Sequence, residues 1–159
     1  MADLINDGKT KVSWVSSIAN INAPTASELT AGYDWTDRIT PDGLKTDPTT
    51  ADVDTSSLAS TFDTKTVGRV GYDAEVTFKR GDTPTEDLPY TTLKYGTAGY
   101  LVVRRGVATS TAYTAGQTVE VYPAKCGEPV NVAPAANEVT KFTSQMKVTS
   151  APATAATVA

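Results

Sequence analysis

The stretch of sequence that decides the fold is Val70-Gly71-Tyr72-Asp73-Ala74-Glu75-Val76-Thr77-Phe78-Lys79. Apolar side chains at the even positions alternate with glycine or polar residues at the odd positions, which is typical of a strand with one buried face. Shorter stretches at 11–18 and 142–149 repeat the same alternation. Residues 99–104 have no polar alternation in their middle, which predicts a central strand covered on both faces.

The composition agrees with a mostly β chain. Thr and Ala are the commonest of the 159 residues, and β-branched residues fit a pleated surface better than a long helix. Thr25 followed by Glu28 predicts a capping box at the start of a short helix, with Gly32 as a left-handed residue after it. One longer helix is expected over 88–95, because Pro89 is tolerated only in a first turn. This length predicts a single domain over about residues 1–150.

Two segments are poor in apolar side chains. Residues 41–66 are the first, and from Lys45 to Thr66 they are almost wholly polar and rich in Thr, Asp and Ser, with Val53, Leu58 and Phe62 as the only apolar anchors. We interpret them as an extended polar arm that carries at most one short strand, because long loops in small domains are usually functional. Residues 151–159 form an Ala/Thr tail that we expect to be flexible in an isolated subunit.

The inventory of reactive side chains excludes the commonest chemistries. The chain has no histidine, so histidine-based triads and HExxH zinc sites are impossible, and neither an enzyme activity nor a cofactor is expected. Its one cysteine, Cys126, is expected to be a small buried thiol. A net charge of −4 and a pI of about 4.8 disfavour binding to nucleic acid. No signal peptide or membrane helix is predicted, so we expect a soluble protein made in the cytoplasm.

Three short motifs have simpler interpretations than their best-known functions. Asp54-Thr55-Ser56 resembles one loop of an aspartic protease, but no second loop exists to pair with it, and turn-capping side chains explain it better. Arg80-Gly81-Asp82 matches a cell-adhesion tripeptide at a predicted turn. Arg104 and Arg105 at a strand end are interpreted as a solvated basic pair.

Several structural strings occur in a fixed order over about residues 10–150, and none is a catalytic signature. They are Ile21-Asn22-Ala23-Pro24-Thr25-Ala26 with Glu28-Leu29 and Gly32, Val53-Asp54-Thr55-Ser56-Ser57-Leu58, Ser60-Thr61-Phe62-Asp63-Thr64, Gly68-Arg69, Gly96-Thr97-Ala98-Gly99-Tyr100-Leu101-Val102-Val103-Arg104, Val121-Tyr122-Pro123 with Cys126-Gly127, and Pro134-Ala135-Ala136-Asn137-Glu138. Taken together, they resemble the major tail protein, the tail tube protein, of long-tailed phages infecting actinobacteria. Residues 67–74 do not align with that pattern.

The resemblance implies a tail-tube β-sandwich or small barrel with one flanking helix at 88–95 and a long polar arm at 41–66. Such subunits form six-membered rings that stack into a hollow tube for the passage of the genome. The implied partners are copies of the chain itself, a tape-measure protein, and tail terminator and baseplate proteins. Double-stranded DNA would pass through without being bound. The implied location is the virion tail, assembled in the cytoplasm of the bacterial host.

Two sets of residues follow as candidates for assembly. The arm would contact the next ring through Asp47, Asp52, Val53, Asp54, Leu58 and Phe62. An acidic lumen would repel the DNA backbone and let it slide, and the candidates for that lining are Asp73, Glu75 and Glu120.

The alternative is a monomeric β-sandwich binding module that recognises a surface carbohydrate or protein. Trp14 and Trp35 are the residues that could stack on a sugar, although tryptophan more often packs in a core or an interface. The oligomeric state distinguishes the two hypotheses, because a binding module stays monomeric and a tail protein forms rings or tubes.

Overall fold

Nine antiparallel strands form one branched sheet in the computed structural model, which describes residues 2–159. The strands are β1 (Thr10–Val15), β2 (Tyr33–Asp34), β3 (Ile39–Asp54), β4 (Lys65–Lys79), β5 (Ala98–Arg105), β6 (Thr118–Cys126), β7 (Val130–Asn131), β8 (Lys141–Val148) and β9 (Ala153–Thr157). Two short helices, α1 (Ala26–Ala31) and α2 (Leu88–Thr92), and a 3-10 turn at Thr36–Arg38 complete the elements. Strands hold 45% of the residues and helices 9%, which confirms the prediction of a mostly β chain.

The sheet branches at β6. Its main order is β2-β1-β5-β6-β8-β4-β3. The first half of β6 pairs with β9 through Thr118, Val119 and Val121, whereas its last three residues, 124–126, pair with β8. The layers on the two sides of the branch cover both faces of β5, which confirms the prediction that residues 99–104 form a central strand.

Two hydrophobic cores lie on opposite faces of the β1-β5-β6 region. Alternation along β5 sends Leu101 and Val103 into the first core and Val102 into the second. The other large members of the first core are Val12, Trp14, Trp35, Val76, Phe78, Leu93, Tyr122, Phe142 and Met146. The second core contains Val15, Ile18, Leu29, Tyr113, Val119, Val121 and Val158. This arrangement of layers is consistent with a β-sandwich.

The predicted capping box at α1 is confirmed. The Glu28 backbone N–H donates to Thr25 Oγ1 (3.2 Å), and the Thr25 backbone N–H donates to the Glu28 carboxylate (3.1 Å). The left-handed conformation predicted for Gly32 is wrong, because its φ is −76°. Glycine is needed there for a different reason: a Cβ would lie 2.7 Å from the Trp14 carbonyl oxygen, so only glycine allows this close approach.

Helix α2 is shorter than the helix predicted over 88–95. It begins at Leu88 as expected, with Pro89 in its first turn, but it ends at Thr92. The next residue, Leu93, is completely buried in the first core. We attribute the early end to this burial, because filling the core stabilises the fold more than one further turn of a marginal helix.

The polar arm predicted at 41–66 is not a loop. Residues 39–54 form β3, which pairs with β4 in a hairpin whose register is interrupted at two points. Register shifts lie between Ile39 and Leu44 and between Thr50 and Asp52. Threonine is a good strand residue, and the partner strand 65–76 pairs with the backbone of 44–54, so the polar sequence forms a ribbon despite its lack of core side chains.

The flexible tail predicted at 151–159 is instead a strand in this structure. Strand β9 pairs with the first half of β6, and Ala153, Ala156 and Val158 are buried in the second core. The Val158 N–H donates to the carbonyl of Gln117 (2.9 Å). Small alanine side chains are enough to hold this strand in place, because its backbone pairs with that of β6 and so satisfies groups that would otherwise lack hydrogen bonds.

Candidate functional site

The most exposed regular element is the outer part of the β3–β4 hairpin. Strand β8 pairs with β4 only from Asp73 to Lys79, so beyond that point the two strands pair only with each other. We call residues 48–72 the distal hairpin. Nearly all of its side chains are exposed to solvent on both faces. A lone two-stranded ribbon is marginally stable in water, so this element is suited to being covered by another chain.

The tip of the distal hairpin, residues 55–64, is held by its own polar groups. The Thr55 N–H donates to the Thr64 carbonyl (3.0 Å), and the Thr64 N–H donates to Ser56 Oγ (2.9 Å). The Ser56 N–H donates to the Asp54 carboxylate (2.8 Å), and this hydrogen bond lowers the pKa of Asp54. The turn-capping interpretation of Asp54-Thr55-Ser56 is therefore confirmed, and the tip has a defined shape before any partner binds.

This ordered tip presents apolar side chains to water. Leu58 is fully exposed and Phe62 is 79% exposed, and three valines of the hairpin, Val53, Val67 and Val70, are also exposed. Exposed apolar patches of this kind mark interaction sites. Burying Leu58 and Phe62 would each contribute about 1.5–3 kcal/mol to an interface, before ordering costs are subtracted.

The residues predicted for the arm contact come together on this hairpin. Asp52, Val53, Asp54, Leu58 and Phe62 lie on it, and Asp47 lies just before it. Asp52 forms an ion pair with Lys65 across the strands (3.5 Å). Sequence reasoning missed Val67 and Val70 on the return strand. The alternation that starts at Val70 was the available signal, and it was interpreted only as a buried strand face.

The three carboxylates predicted to line a lumen do not share one face. Asp73 and Glu75 flank buried Ala74 on β4, so they project away from the first core. Lysines interleave with them: Lys147 Nζ lies 3.5 Å from Asp73, and Lys45 is the cross-strand partner of Glu75. This face of the sheet therefore carries charges of both signs.

Glu120 lies on the opposite side of the sheet. The next residue, Val121, faces the second core. Glu120 therefore lies on the same face of β6 as Tyr122, which belongs to the first core. Its carboxylate accepts hydrogen bonds from Arg105 Nε (2.7 Å) and from the Tyr122 hydroxyl (2.8 Å). The structure thus groups Asp73 with Glu75 and places Glu120 elsewhere, with its charge offset by an arginine.

The interpretation of Arg104 as a solvated residue is wrong. Its side chain is completely buried, because strand alternation turns it toward the second core, while Arg105 remains exposed. Its guanidinium donates to the carbonyls of Ala108, Thr111 and Ala112 and to Gln117 Oε1. It also lies 5.0 Å from the centroid of the Tyr113 ring. Arg104 therefore organises the loop between β5 and β6.

The other candidate side chains are occupied structurally. Trp14 and Trp35 are buried in the first core. Arg80 binds the Asp87 carboxylate with two nitrogens (2.7 and 2.9 Å) and stacks over the Tyr90 ring at 3.6 Å, so the Arg80-Gly81-Asp82 tripeptide does not present a free arginine.

Cys126 and the acidic side chains are the remaining candidates for reactive or metal-binding groups. Cys126 is buried as expected, and burial raises the pKa of its thiol to about 11. Residues 2–159 contain no group of three or more His, Cys, Asp or Glu side chains placed to hold a metal ion. No helix among those residues has the length and apolar character needed to cross a membrane.

Comparisons with known proteins agree with this geometry. The family model described as phage tail tube protein matches residues 1–159. A chain in the six-fold symmetrised cryo-EM structure of the anti-feeding prophage baseplate has a similar fold, with a TM-score of 0.57 and 10% sequence identity over 94% of this chain and 95% of that one. No curated protein matches the sequence. Since the family model covers the whole sequence, this chain belongs to the phage tail tube protein family and is a structural component of a phage tail.

Proposed function

We propose that copies of this chain assemble into six-membered rings, and that the rings stack into the hollow tube of a phage tail through which double-stranded DNA passes. The observation that carries the proposal is the distal hairpin, an ordered ribbon with an apolar tip that pairs with no further strand among residues 2–159. The sixfold symmetry of the proposed rings is supported by the fold that this chain shares with a chain of a six-fold symmetrised prophage baseplate. The subunit itself would perform no chemistry.

The symmetry of the contacts explains how such an assembly grows. A ring closes on itself, so its side-to-side interface is satisfied after a fixed number of subunits. A contact between stacked rings is head-to-tail and cannot close, so it propagates a filament. The distal hairpin is suited to the second kind of contact, because it projects beyond the sheet that holds the two cores.

The predicted partners and lining follow from the same proposal. A tape-measure protein would start the tube, terminator and baseplate proteins would close its ends, and assembly would take place in the host cytoplasm. The sequence resemblance favours a long-tailed phage of an actinobacterial host. Asp73 and Glu75 remain our candidates for the lumen, because they share one face, whereas Glu120 lies on the opposite side of the sheet and is paired with Arg105, so it would face a different surface of the assembly.

The experiment that tests the proposal shortens the hairpin without touching either core. Residues 49–71 are replaced by Asn-Gly, which joins the cross-strand partners Pro48 and Tyr72 through a tight turn. We expect this variant to fold as the wild type does, because the pairing of β4 with β8 begins only at Asp73. It should form rings but no tubes in negative-stain micrographs and in sedimentation velocity.

A matched variant, Leu58→Ser with Phe62→Ser, keeps the backbone of the hairpin and removes only its apolar tip. It should shift tube growth to higher protein concentration. Tubes of normal length from the shortened variant would refute the role of the hairpin. A wild-type protein that stays monomeric even when tape-measure protein is added would refute the tube itself.

The alternative of a monomeric module that binds a surface carbohydrate or protein loses the two residues that suggested sugar binding. The aromatic rings that such a module would expose, those of Trp14 and Trp35, are buried in the first core.

A further inference from the structure

A groove opens where β8 separates from β4. Their pairing ends with Asp73 opposite Lys147, after which the chain bends away through 149–152 to begin β9. The gap that this leaves has a volume of about 520 Å³. We call it the fork groove, and its walls are Val70, Gly71, Tyr72, Val148, Thr149, Ser150, Ala151, Pro152 and Thr154. Pockets of this size accommodate groups as large as several side chains.

The fork groove is lined by both apolar and polar side chains and is open along a strand edge. Val70, Tyr72, Val148 and Pro152 supply apolar surface, and none of them is fully buried. At residues 70–72, β4 pairs with β3 on one edge only, so its other edge faces the groove without a partner strand. A strand edge of this kind readily accepts another segment of chain.

The tip of the distal hairpin has the matching properties. Leu58 and Phe62 are exposed on a turn whose shape is already set by hydrogen bonds among Thr55, Ser56 and Thr64. Because the shape of the tip is already fixed, its apolar side chains lose little conformational entropy on docking, and this favours the tip as an interface anchor.

The tip and the fork groove of one subunit lie at opposite ends of the same ribbon. Five residues of extended strand, 65–69, separate them, and at about 3.3 Å per residue this distance is roughly 17 Å. The contact is therefore possible only between copies. Because it joins two different surfaces, it repeats from subunit to subunit without closing.

Charges beside the two surfaces are complementary. Lys125 and Lys147 are directly opposite each other on β6 and β8 and are both exposed, an arrangement of like charges that is unfavourable unless an anion lies nearby. Among residues 2–159, Lys147 forms one ion pair, with Asp73 at 3.5 Å, and Lys125 forms none. The tip carries Asp63 and is preceded by Asp54, neither of which forms an ion pair within those residues.

We propose that the tip of the distal hairpin, through Leu58 and Phe62, inserts into the fork groove of a subunit in the adjacent ring. This inference rests on the proposed function, since stacked rings provide the second copy. It identifies both surfaces of the ring-to-ring contact, with the carboxylates of the tip directed toward Lys125 and Lys147.

Disulfide trapping tests the contact directly. The variant Ala59→Cys with Ala151→Cys places one thiol beside Leu58 on the tip and one in the wall of the groove, and it retains both apolar anchors. The native Cys126 does not interfere, because it is buried and its pKa is raised to about 11. We expect oxidation of assembled protein to give a ladder of covalent multimers on a non-reducing gel. Each single variant should give dimers at most.

The matched control is Ala59→Cys with Ala155→Cys. Ala155 is also an exposed alanine of the C-terminal segment, but it does not line the groove. A ladder from the Ala151 pair and not from the Ala155 pair would support the proposal. Adding Leu58→Ser to the Ala151 pair should reduce the multimer yield about tenfold or more, as expected for the loss of one buried leucine.

The remaining outcomes separate this inference from the proposed function. Tubes in the micrographs without a ladder, or with equal ladders from both pairs, would overturn the fork groove as the docking site and leave the tube intact. Absence of rings and tubes from all variants and from the wild type would overturn both proposals.

Discussion

The replacement Arg104→Met tests the most unexpected feature of the fold, a buried cation that has no carboxylate partner. The side chain is completely buried, and no ion pair among residues 2–159 includes it. Four acceptors surround its guanidinium at 2.8–3.2 Å: three carbonyls of the β5–β6 loop and the amide oxygen of Gln117. Methionine fills a similar volume and leaves all four acceptors without their donor.

The size of the effect can be worked out from these contacts. A hydrogen bond to a charged group contributes about 1.5–3 kcal/mol, so four of them set an upper limit of about 6–12 kcal/mol. The real loss is smaller, because the three carbonyls belong to exposed residues that water can reach once the loop relaxes, and because methionine is not penalised for desolvation of a charge. We expect the free energy of unfolding to fall by about 3 kcal/mol, a large fraction of the 5–15 kcal/mol typical of a domain.

Urea denaturation, followed by the fluorescence of the two buried tryptophans, measures this loss. The neighbouring variant Arg105→Met is the control, because its exposed ion pair with Glu120 should contribute no more than about 1 kcal/mol. Arg104→Lys keeps the charge but cannot reach four acceptors, so it should lose at least as much stability as the methionine variant. Hydrogen exchange should accelerate at 106–117 in both Arg104 variants. A loss below about 1 kcal/mol for Arg104→Met would show that the arginine does not hold the loop.

Two further predictions concern the strands and the buried thiol. Gly99→Ala should destabilise the protein by about 1–3 kcal/mol, because the new Cβ would lie 2.5 Å from the Trp14 ring. At Gly71 a new Cβ meets no atom within 4 Å, so Gly71→Ala should be neutral or stabilising by up to about 1 kcal/mol. Equal urea midpoints for the two variants would contradict this prediction. The pKa of Cys126 is raised to about 11, so its contribution to stability is complete below the pKa of the unfolded thiol, near 9, and is lost as the pH rises toward 11. Wild type should therefore lose more stability than Cys126→Ala between pH 9 and pH 11, and parallel stability curves would show that the thiol is not shielded.

The distal hairpin shows that amino-acid composition alone does not distinguish a loop from a two-stranded ribbon exposed on both faces. The polar residues of 41–66 contain no pattern that distinguishes a solvated loop from a ribbon exposed on both faces, since neither buries a core. Whether such a segment forms strands depends on the partner that pairs with its backbone, here 65–76. That pairing joins residues up to about thirty positions apart, and periodicity within one segment carries no information about it.

Arg104 and the C-terminal strand are harder cases of the same problem. Charged residues are almost never fully buried without a partner, so Arg104 reads as a surface residue until the loop that supplies its carbonyls is folded around it. Ala153 and Ala156 have too little apolar surface to predict burial. They are buried because the first half of β6 lacks a partner strand where β8 turns away.

The sequence alone determined several local elements: the strands at 70–78 and 142–149, the central strand at 99–104 and the capping box before α1 all correspond to the structure. These features are local, because side-chain direction follows from strand or helix geometry over a few residues. Only the tertiary structure decided which strands are neighbours, that the sheet branches at β6, and that Asp73 and Glu75 share a face from which Glu120 is excluded. Those outcomes depend on contacts between distant segments, where burial and backbone pairing are satisfied for the whole chain at once and not for any one stretch of it.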